Sequence, residues 1–246
     1  MNPEQRHRYS RQISVPRFGE TGQQKLLDAR VLIVGLGGLG SPAALYLAAS
    51  GVGTLVLNDF DIVDITNLQR QIIHRQIDIG QSKVDSARRT ILEINPQCHI
   101  ITKEWQLDDQ ELNTEVSKAD LVLDCSDNFT TKYALNFACM NMATALITGA
   151  AIREEGQIFV TLGKQGPCYN CLYPNLPETY EDCSTQGILA PLVGTIGSLQ
   201  ALQALQILNG NKITHGQLTL FNATTMQWRS IKVPQDPACI VCANLS

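Results

Sequence analysis

Short apolar runs alternate with longer segments of mixed polarity along the first two thirds of the chain. The runs predict strands of a parallel sheet, which are covered on both faces and therefore apolar throughout. We predict strands at Val31–Val34, Thr54–Leu57, His99–Lys103, Leu121–Leu123 and Ala145–Thr148. The intervening segments predict helices, among them Lys83–Glu93, Asp108–Ser117 and Ala134–Met142. This alternation predicts an α/β fold with a doubly wound, Rossmann-like and mostly parallel sheet.

The pattern changes after about Gly156. Predicted strands at Gln157–Leu162, Gln217–Phe221 and Gln227–Val233 alternate less with helices, which indicates a C-terminal antiparallel extension of the sheet. The long apolar run 188–208 is interrupted by glycine and glutamine, as in a packed core helix rather than a membrane span. We therefore expect an N-terminal arm and helix at 1–29 and a Rossmann-like core at 30–155. Residues 156–246, with a crossover loop, are expected to belong to the same domain.

Composition narrows the class of protein. Of the 246 residues, 44% are hydrophobic and 17% are charged, which is enough to build a sizeable core. The formal net charge of −4 lacks the basic excess of nucleic-acid-binding domains. The first residues are polar and contain no signal-peptide pattern. We therefore expect a cytoplasmic protein with no nucleic-acid or membrane partner, and we expect reduced thiols at its eight cysteines.

A glycine cluster follows the first predicted strand. Gly35, Gly37 and Gly40 satisfy the pattern G-x-G-x-x-G, and Gly38 lies within it. Glycines permit a tight turn and a close approach of backbone N–H groups to phosphate oxygens, near the positive end of the next helix. Asp59 follows about 20 residues later, where a carboxylate can accept hydrogen bonds from ribose hydroxyls. The segment predicts a nucleotide site without choosing between NAD and ATP.

Further motifs follow in a fixed order. The chain contains RYSRQI from Arg8, VLIVGLGGLG from Val31, TNLQRQ from Thr66, GQSKV around Lys83, DCSDN ending at Asn128 and two C-x-x-C pairs. In this ordered set the sequence resembles the ThiF/MoeB/HesA family of ubiquitin-activating-enzyme-like adenylyltransferases. The resemblance covers nearly the whole chain, and the ordered combination is far more specific than any single motif.

The resemblance implies an ATP site that Arg11 completes from the second subunit of a homodimer. Arg70 and Lys83 suit the triphosphate, because cations offset the charge when an anion approaches it. Asp127 suits Mg²⁺, since a hard cation prefers carboxylate oxygen, and Asn67 suits a phosphate or the shell of the metal. The residues implied to line the site are Gly38, Asp59, Asn67, Arg70, Lys83, Asp127 and Asn128.

The two C-x-x-C pairs are Cys168 with Cys171 and Cys239 with Cys242. Four thiolates suit tetrahedral Zn²⁺, and a closed shell of four protein ligands indicates a structural role. A zinc knuckle is also what the resemblance implies, and a redox-active pair is the alternative. Cys183 lies in a polar stretch, where relatives carry a cysteine that can take part in sulfur or acyl transfer. The alternative at that position is an exposed thiol that has no role in the reaction.

Taken together, the resemblance implies adenylylation of the C-terminal glycine carboxylate of a small ubiquitin-like sulfur carrier. The carrier would be ThiS-like or MoaD-like, end in Gly-Gly, and serve thiamine or molybdenum cofactor biosynthesis. The implied cofactors are ATP, Mg²⁺ and Zn²⁺. The acyl-adenylate would then become a thiocarboxylate. A separate desulfurase or sulfurtransferase is expected to supply the sulfur, because no sulfurtransferase domain follows as in some relatives.

The chemistry needs no histidine base. A C-terminal carboxyl has a pKa of about 3.5, so it is already an anionic nucleophile at neutral pH. The alternative from another class is an NAD-dependent oxidoreductase, which the glycine loop and Asp59 allow. That alternative explains neither Arg70 with Lys83 nor the paired cysteines. A third possibility is a scaffold that keeps the fold without activity, and the complete set of charged residues argues against it.

Overall fold

The computed structural model describes residues 1–104, 106, 109–164, 166–174 and 187–243. Within these residues eight strands form one sheet in the order β3-β2-β1-β4-β5-β6-β7-β8. The strands are β1 (Arg30–Val34), β2 (Thr54–Asn58), β3 (His99–Lys103), β4 (Leu121–Asp124), β5 (Ala145–Ile152), β6 (Glu155–Leu162), β7 (Gln217–Asn222) and β8 (Gln227–Lys232).

The first five strands are parallel, and the last three each run antiparallel to the strand before. In the parallel part Ile33 pairs with Leu57 on one side and with Leu123 on the other. All three side chains are buried, as the apolar runs require. The predicted mostly parallel sheet with a C-terminal antiparallel extension is therefore confirmed.

Helices cover both faces of the sheet. They are α1 (Pro3–Arg8), α2 (Ser10–Ile13), α3 (Gly19–Asp28), α4 (Gly40–Ala49), α5 (Lys83–Ile94), α6 (Asp109–Lys118), α7 (Phe129–Met142), α8 (Tyr169–Leu172) and α9 (Ala190–Asn209). One apolar cluster joins α4, α5 and α9 to the sheet, and a separate cluster joins α6 and α7 to it. This arrangement confirms the doubly wound class. Among the described residues, no helix has the length and apolar character needed to cross a membrane.

The boundary that differs most from the sequence prediction is the start of α7. Helix α7 begins at Phe129, five residues before the predicted start at Ala134. Residues 130–132 of the first turn are polar and give no apolar periodicity, but the Asn128 side chain accepts a hydrogen bond from the Thr131 N–H at 2.9 Å and caps the helix. The expected division at residue 155 falls at the start of β6, which pairs with β5, and this division stays a prediction.

Candidate nucleotide site and metal centre

A cavity of about 700 Å³ opens at the carboxyl ends of the parallel strands. The cavity lies at the end of β1, which has β2 on one side and β4 on the other. The strands that follow β1 are added first on one side of it, as β2 and β3, and then on the other side, as β4 and β5. Open α/β sheets bind ligands at this switch point. Of the sequence-predicted residues, the cavity is lined by Gly35, Gly37, Gly38, Asp59, Arg70, Lys83, Asp127 and Asn128.

The glycine loop connects β1 to α4. Gly35 has a φ of +91°, a conformation that side chains disfavour, and its N–H donates to the Asn58 carbonyl at 2.8 Å. A Cβ on Gly40 would lie 1.9 Å from the Gly35 carbonyl oxygen, so Gly40 serves the tight turn and does not line the cavity. Gly37 and Gly38 precede the helix, whose first N–H groups have no intrahelical acceptors. The loop therefore offers an anion several backbone donors.

Asp59 is tied to this loop. One of its carboxylate oxygens accepts the Leu36 N–H at 2.7 Å, and the other accepts the Asp61 N–H at 2.9 Å. Burial raises the pKa of Asp59, and the nearby positive charge of Lys83 opposes that rise. A carboxylate has about four lone-pair positions, so two hydrogen bonds leave acceptor capacity for a ribose hydroxyl.

Lys83 enters the cavity from the first residue of α5. Its side chain is only 6% exposed, and its Nζ donates to Asp61 at 2.7 Å. The Lys83 backbone N–H also donates to the Asp61 carbonyl at 3.0 Å. Asp61 was not among the residues predicted from the sequence, although its place two residues after Asp59 was an available signal. The ammonium group of Lys83 is thus held beside the carboxylates of Asp59 and Asp61, next to the glycine loop.

Arg70 is positioned by its own short loop. Its guanidinium donates to the Thr66 carbonyl at 3.2 Å and to the Asn67 side-chain oxygen at 3.3 Å. Asn67 also accepts a hydrogen bond from the Gln71 side chain at 2.9 Å, and Asn67 does not itself line the cavity. The structure thus places Asn67 behind Arg70 and Gln71, rather than against the space that a phosphate would fill.

Gln71 is a further residue of the site that the sequence analysis missed. It lines the cavity while only 4% exposed, and its Oε1 has no hydrogen-bond partner among the described residues. A buried acceptor without a donor costs free energy, which a donor on a bound ligand would recover. The site therefore fits a polyphosphate nucleotide. The backbone donors of the glycine loop and two nearby cations suit its phosphates, and the unpartnered oxygen suits one of its hydroxyl or amino groups.

Asp127 and Asn128 lie at the end of β4 on the opposite side of the cavity from Asp59. Asn128 caps α7, and the exposed Asp127 carboxylate lines the cavity. A carboxylate of this kind suits Mg²⁺. Arg11 is exposed on α2 and is absent from the described lining of the cavity. Cys183 lies outside the described residues.

His74 lies behind the glycine loop, and its surroundings agree with a reaction that needs no histidine base. One ring nitrogen is 3.1 Å from the Leu36 carbonyl oxygen, and the other is 2.8 Å from the Ser86 hydroxyl. Burial lowers the pKa of His74 to about 4, so the ring is neutral near pH 7. His74 therefore supports the loop and does not line the described cavity.

The two C-x-x-C pairs come together at α8, which begins directly after Cys168 and contains Cys171. Their four sulfur atoms all lie within 4.8 Å of one another. The Cys168 and Cys239 sulfurs are 3.6 Å apart, and those of Cys171 and Cys242 are 3.3 Å apart. A tetrahedron with Zn–S bonds of about 2.3 Å has edges of roughly 3.8 Å, so the arrangement fits one zinc ion. The remaining described cysteines, Cys98, Cys125 and Cys139, are buried in the core.

We expect the purified protein to contain about one zinc per chain, as a single Cys₄ site requires. Cys239→Ser should lower the zinc content strongly and loosen the segment after β8, because the cluster ties that segment to Cys168 and Cys171. Elemental analysis and limited proteolysis measure the two effects. Cys98→Ser, a buried cysteine outside the cluster, should keep the zinc. A folded wild-type sample without metal would contradict the assignment.

The profile described as the ThiF family matches residues 9–241. The chain is 44% identical to the sulfur carrier protein ThiS adenylyltransferase of Escherichia coli K12, over 99% of this chain and 98% of that protein. It is 46% identical to the molybdopterin-synthase adenylyltransferase of the same organism, over 96% of each chain.

Solved structures show the same fold at lower sequence identity. The chain superimposes on Escherichia coli MccB solved with ATP with a TM-score of 0.81 at 22% identity, covering 96% of this chain and 73% of that one. The MccB complex with MccA-N7isoASN gives a TM-score of 0.83 at 22% identity, with coverage of 96% and 74%. At this identity the likeness establishes the fold alone.

Proposed function

The chain belongs to the ThiF family, and from this premise we propose that it is an ATP-dependent adenylyltransferase acting on a small ubiquitin-like sulfur-carrier protein. Two relatives that match it over nearly their whole length, at 44% and 46% identity, are named as adenylyltransferases. The observation that carries the proposal is that Arg70, Lys83 and Asp127 line one cavity together with the glycine loop. Adenylylation needs this combination, and hydride transfer to a nicotinamide does not.

The reaction begins with the carrier's C-terminal glycine carboxylate, which attacks the α-phosphate of ATP and expels pyrophosphate. Because this carboxylate is ionised at neutral pH, no side chain has to remove a proton. The obstacle is the repulsion between the carboxylate and the triphosphate. Arg70 and Lys83 offset this charge, and the glycine loop adds backbone donors. Asp127 would hold Mg²⁺, which neutralises further phosphate charge when it is bound.

The same cavity has room for the end of the carrier. Beyond the glycine loop it continues along Ala150, Ala151, Ile152 and Gly156 at the junction of β5 and β6. Three of these residues are small, so an extended Gly-Gly tail could lie against the backbone there. This route brings the carrier's terminal carboxylate from the antiparallel side of the sheet towards the glycine loop.

The pathway follows from the identity of the carrier. A ThiS-like carrier would place the enzyme in thiamine biosynthesis, and a MoaD-like carrier in molybdenum cofactor biosynthesis. The RYSRQI segment and the TMQWRS segment from Thr225 to Ser230 resemble the thiazole branch of the family somewhat more closely. We further propose a cytoplasmic homodimer, a separate sulfur donor and a role for Cys183 after pyrophosphate has left.

The experiment is exchange of labelled pyrophosphate into ATP, with a ThiS-like or a MoaD-like carrier added to the zinc-loaded protein. Exchange is expected only with a carrier that ends in Gly-Gly, because the carboxylate is the nucleophile. The matched control is the same carrier without its last glycine. Carrier-independent exchange would contradict the proposal, and preferential binding of NAD over ATP would favour an oxidoreductase. The carrier that gives the higher rate identifies the pathway.

A further inference from the structure

A buried ion pair lies directly beneath the turn that carries Asp127. Asp124, the last residue of β4, has a fully buried side chain, and the Lys132 side chain in α7 is only 4% exposed. The Lys132 Nζ donates to the two Asp124 carboxylate oxygens at 3.2 and 3.3 Å and to the Gly149 carbonyl at 2.9 Å. Apolar residues often replace buried ion pairs without loss of stability, so stability alone explains this pair poorly.

Gln200 of α9 completes the arrangement from the other face of the sheet. Its Nε2 donates to the backbone carbonyls of Asp124 at 2.8 Å and of Ile147 at 3.2 Å. The parallel pairing of β4 with β5 ends at Asp124 and Thr148, so these side chains connect the two strands where their own ladder stops. Asp124, Lys132 and Gln200 are called the polar clamp below. Because α7 and α9 belong to different apolar clusters, the clamp holds the end of β4 from both sides.

The polar clamp also determines the path of the next residues. The Asp124 carboxylate accepts the Ser126 N–H at 3.0 Å and the Ser126 hydroxyl at 2.6 Å. Asp127 follows immediately, and the Asn128 cap then anchors the start of α7. The exposed Asp127 carboxylate is therefore carried on a short turn whose two ends are both fixed by hydrogen bonds.

We propose that Lys132 is a positioning residue for adenylyl transfer, acting through Asp124 to hold the Asp127 turn in its reactive place. The inference rests on the proposed function for the role of Asp127, whereas the holding of the turn does not depend on it. Without the ammonium group, the buried Asp124 carboxylate has no counter-charge and the turn relaxes towards solvent. A misplacement of about 1 Å at a reacting group can cost roughly 100-fold in rate.

The test compares Lys132→Met with Lys132→Arg in the zinc-loaded protein. Lys132→Met should lower kcat of carrier-dependent exchange by about 10- to 100-fold. It should also raise the Mg²⁺ concentration for half-maximal rate. KM for ATP should be nearly unchanged, because the Lys132 Nζ binds Asp124 and Gly149 although the residue borders the cavity, and the glycine loop is untouched. Lys132→Arg keeps the charge and should restore most of the rate. The matched control is Lys118→Met, an exposed lysine on α6.

A second variant and a second measurement distinguish a loss of positioning from misfolding. Asp124→Asn/Lys132→Met removes both charges and leaves no unpaired carboxylate, so it should fold and still react slowly. Hydrogen exchange of the backbone amides at 125–131 should be faster in Lys132→Met than in Lys118→Met. Unchanged exchange there, or wild-type kcat in the double variant, would overturn the positioning role. A wild-type protein without pyrophosphate exchange would refute the proposed function instead, and amide exchange would still decide whether Lys132 holds the turn.

Discussion

Lys83→Ala and Arg70→Ala are each expected to lower carrier-dependent pyrophosphate exchange by about 100-fold or more, the effect of losing one preorganised charge at a transition state. Substitution of Lys83 should lower the rate for a further reason. Its Nζ is the cation beside Asp61, and its charge opposes the raised pKa of Asp59. Without it, the triphosphate would approach two carboxylates that have lost the neighbouring positive charge of Lys83. Initial rates at saturating ATP and carrier, measured for both variants, test the expectation.

The matched control for these substitutions is Arg88→Ala, an exposed cation on the same helix as Lys83. This variant should keep the wild-type rate. Asn67→Ala should show an intermediate loss, because Asn67 positions Arg70 through a hydrogen bond and does not line the cavity. If Lys83→Ala and Arg70→Ala both retained wild-type exchange, the cavity described above would not be the site of adenylylation.

Mixed dimers of Arg11→Ala and Asp127→Ala are expected to regain activity that neither variant has alone. Asp127 lines the cavity of its own chain, whereas Arg11 is exposed on α2 and is not part of the described lining. If Arg11 acts on the partner's nucleotide, each single-variant dimer lacks one group at both sites. A mixed dimer then has one site with both groups, and about half of the wild-type activity per fully mixed dimer is expected.

The measurement combines subunit exchange with the pyrophosphate assay. Differently tagged variants are mixed, the mixed dimers are purified through both tags, and exchange is compared with that of the unmixed variants. Arg17→Ala, another exposed arginine near the N-terminus, should stay active without mixing. Purified mixed dimers with no recovery would mean that Arg11 acts within its own chain or has no role in the reaction.

The sequence by itself determined the fold class and most of the candidate site. Continuous apolar runs such as Val31–Val34 require strands buried on both faces, and parallel strands covered by helices meet that requirement. The glycine loop and Asp59 were recognisable because their spacing reflects local backbone geometry, which depends on few distant contacts. Lys83 and Asp127 were recognisable from the ordered family motifs, and both line the cavity.

Other features depended on contacts between distant segments. Asn67 and Gly40 belong to the predicted motifs but do not line the cavity, because the folded loops turn them towards Arg70 and Gly35. Lysines in helices are mostly solvated, so no local pattern indicated that Lys132 is buried. Its burial depends on a carboxylate from β4 and a carbonyl from β5, which approach one another only when the sheet has formed.

The cysteine cluster shows the same division. The residue types and the C-x-x-C spacing indicated two pairs of thiolate ligands, since each pair is a local knuckle. Whether the pairs meet was decided by the antiparallel strands β6, β7 and β8, which return the chain so that Cys168 and Cys239 lie together across 71 residues of sequence. Local spacing determines which side chains can act together within one loop. The packing of the whole sheet determines which loops meet, because that arrangement depends on the burial of apolar surface from every strand and helix at once.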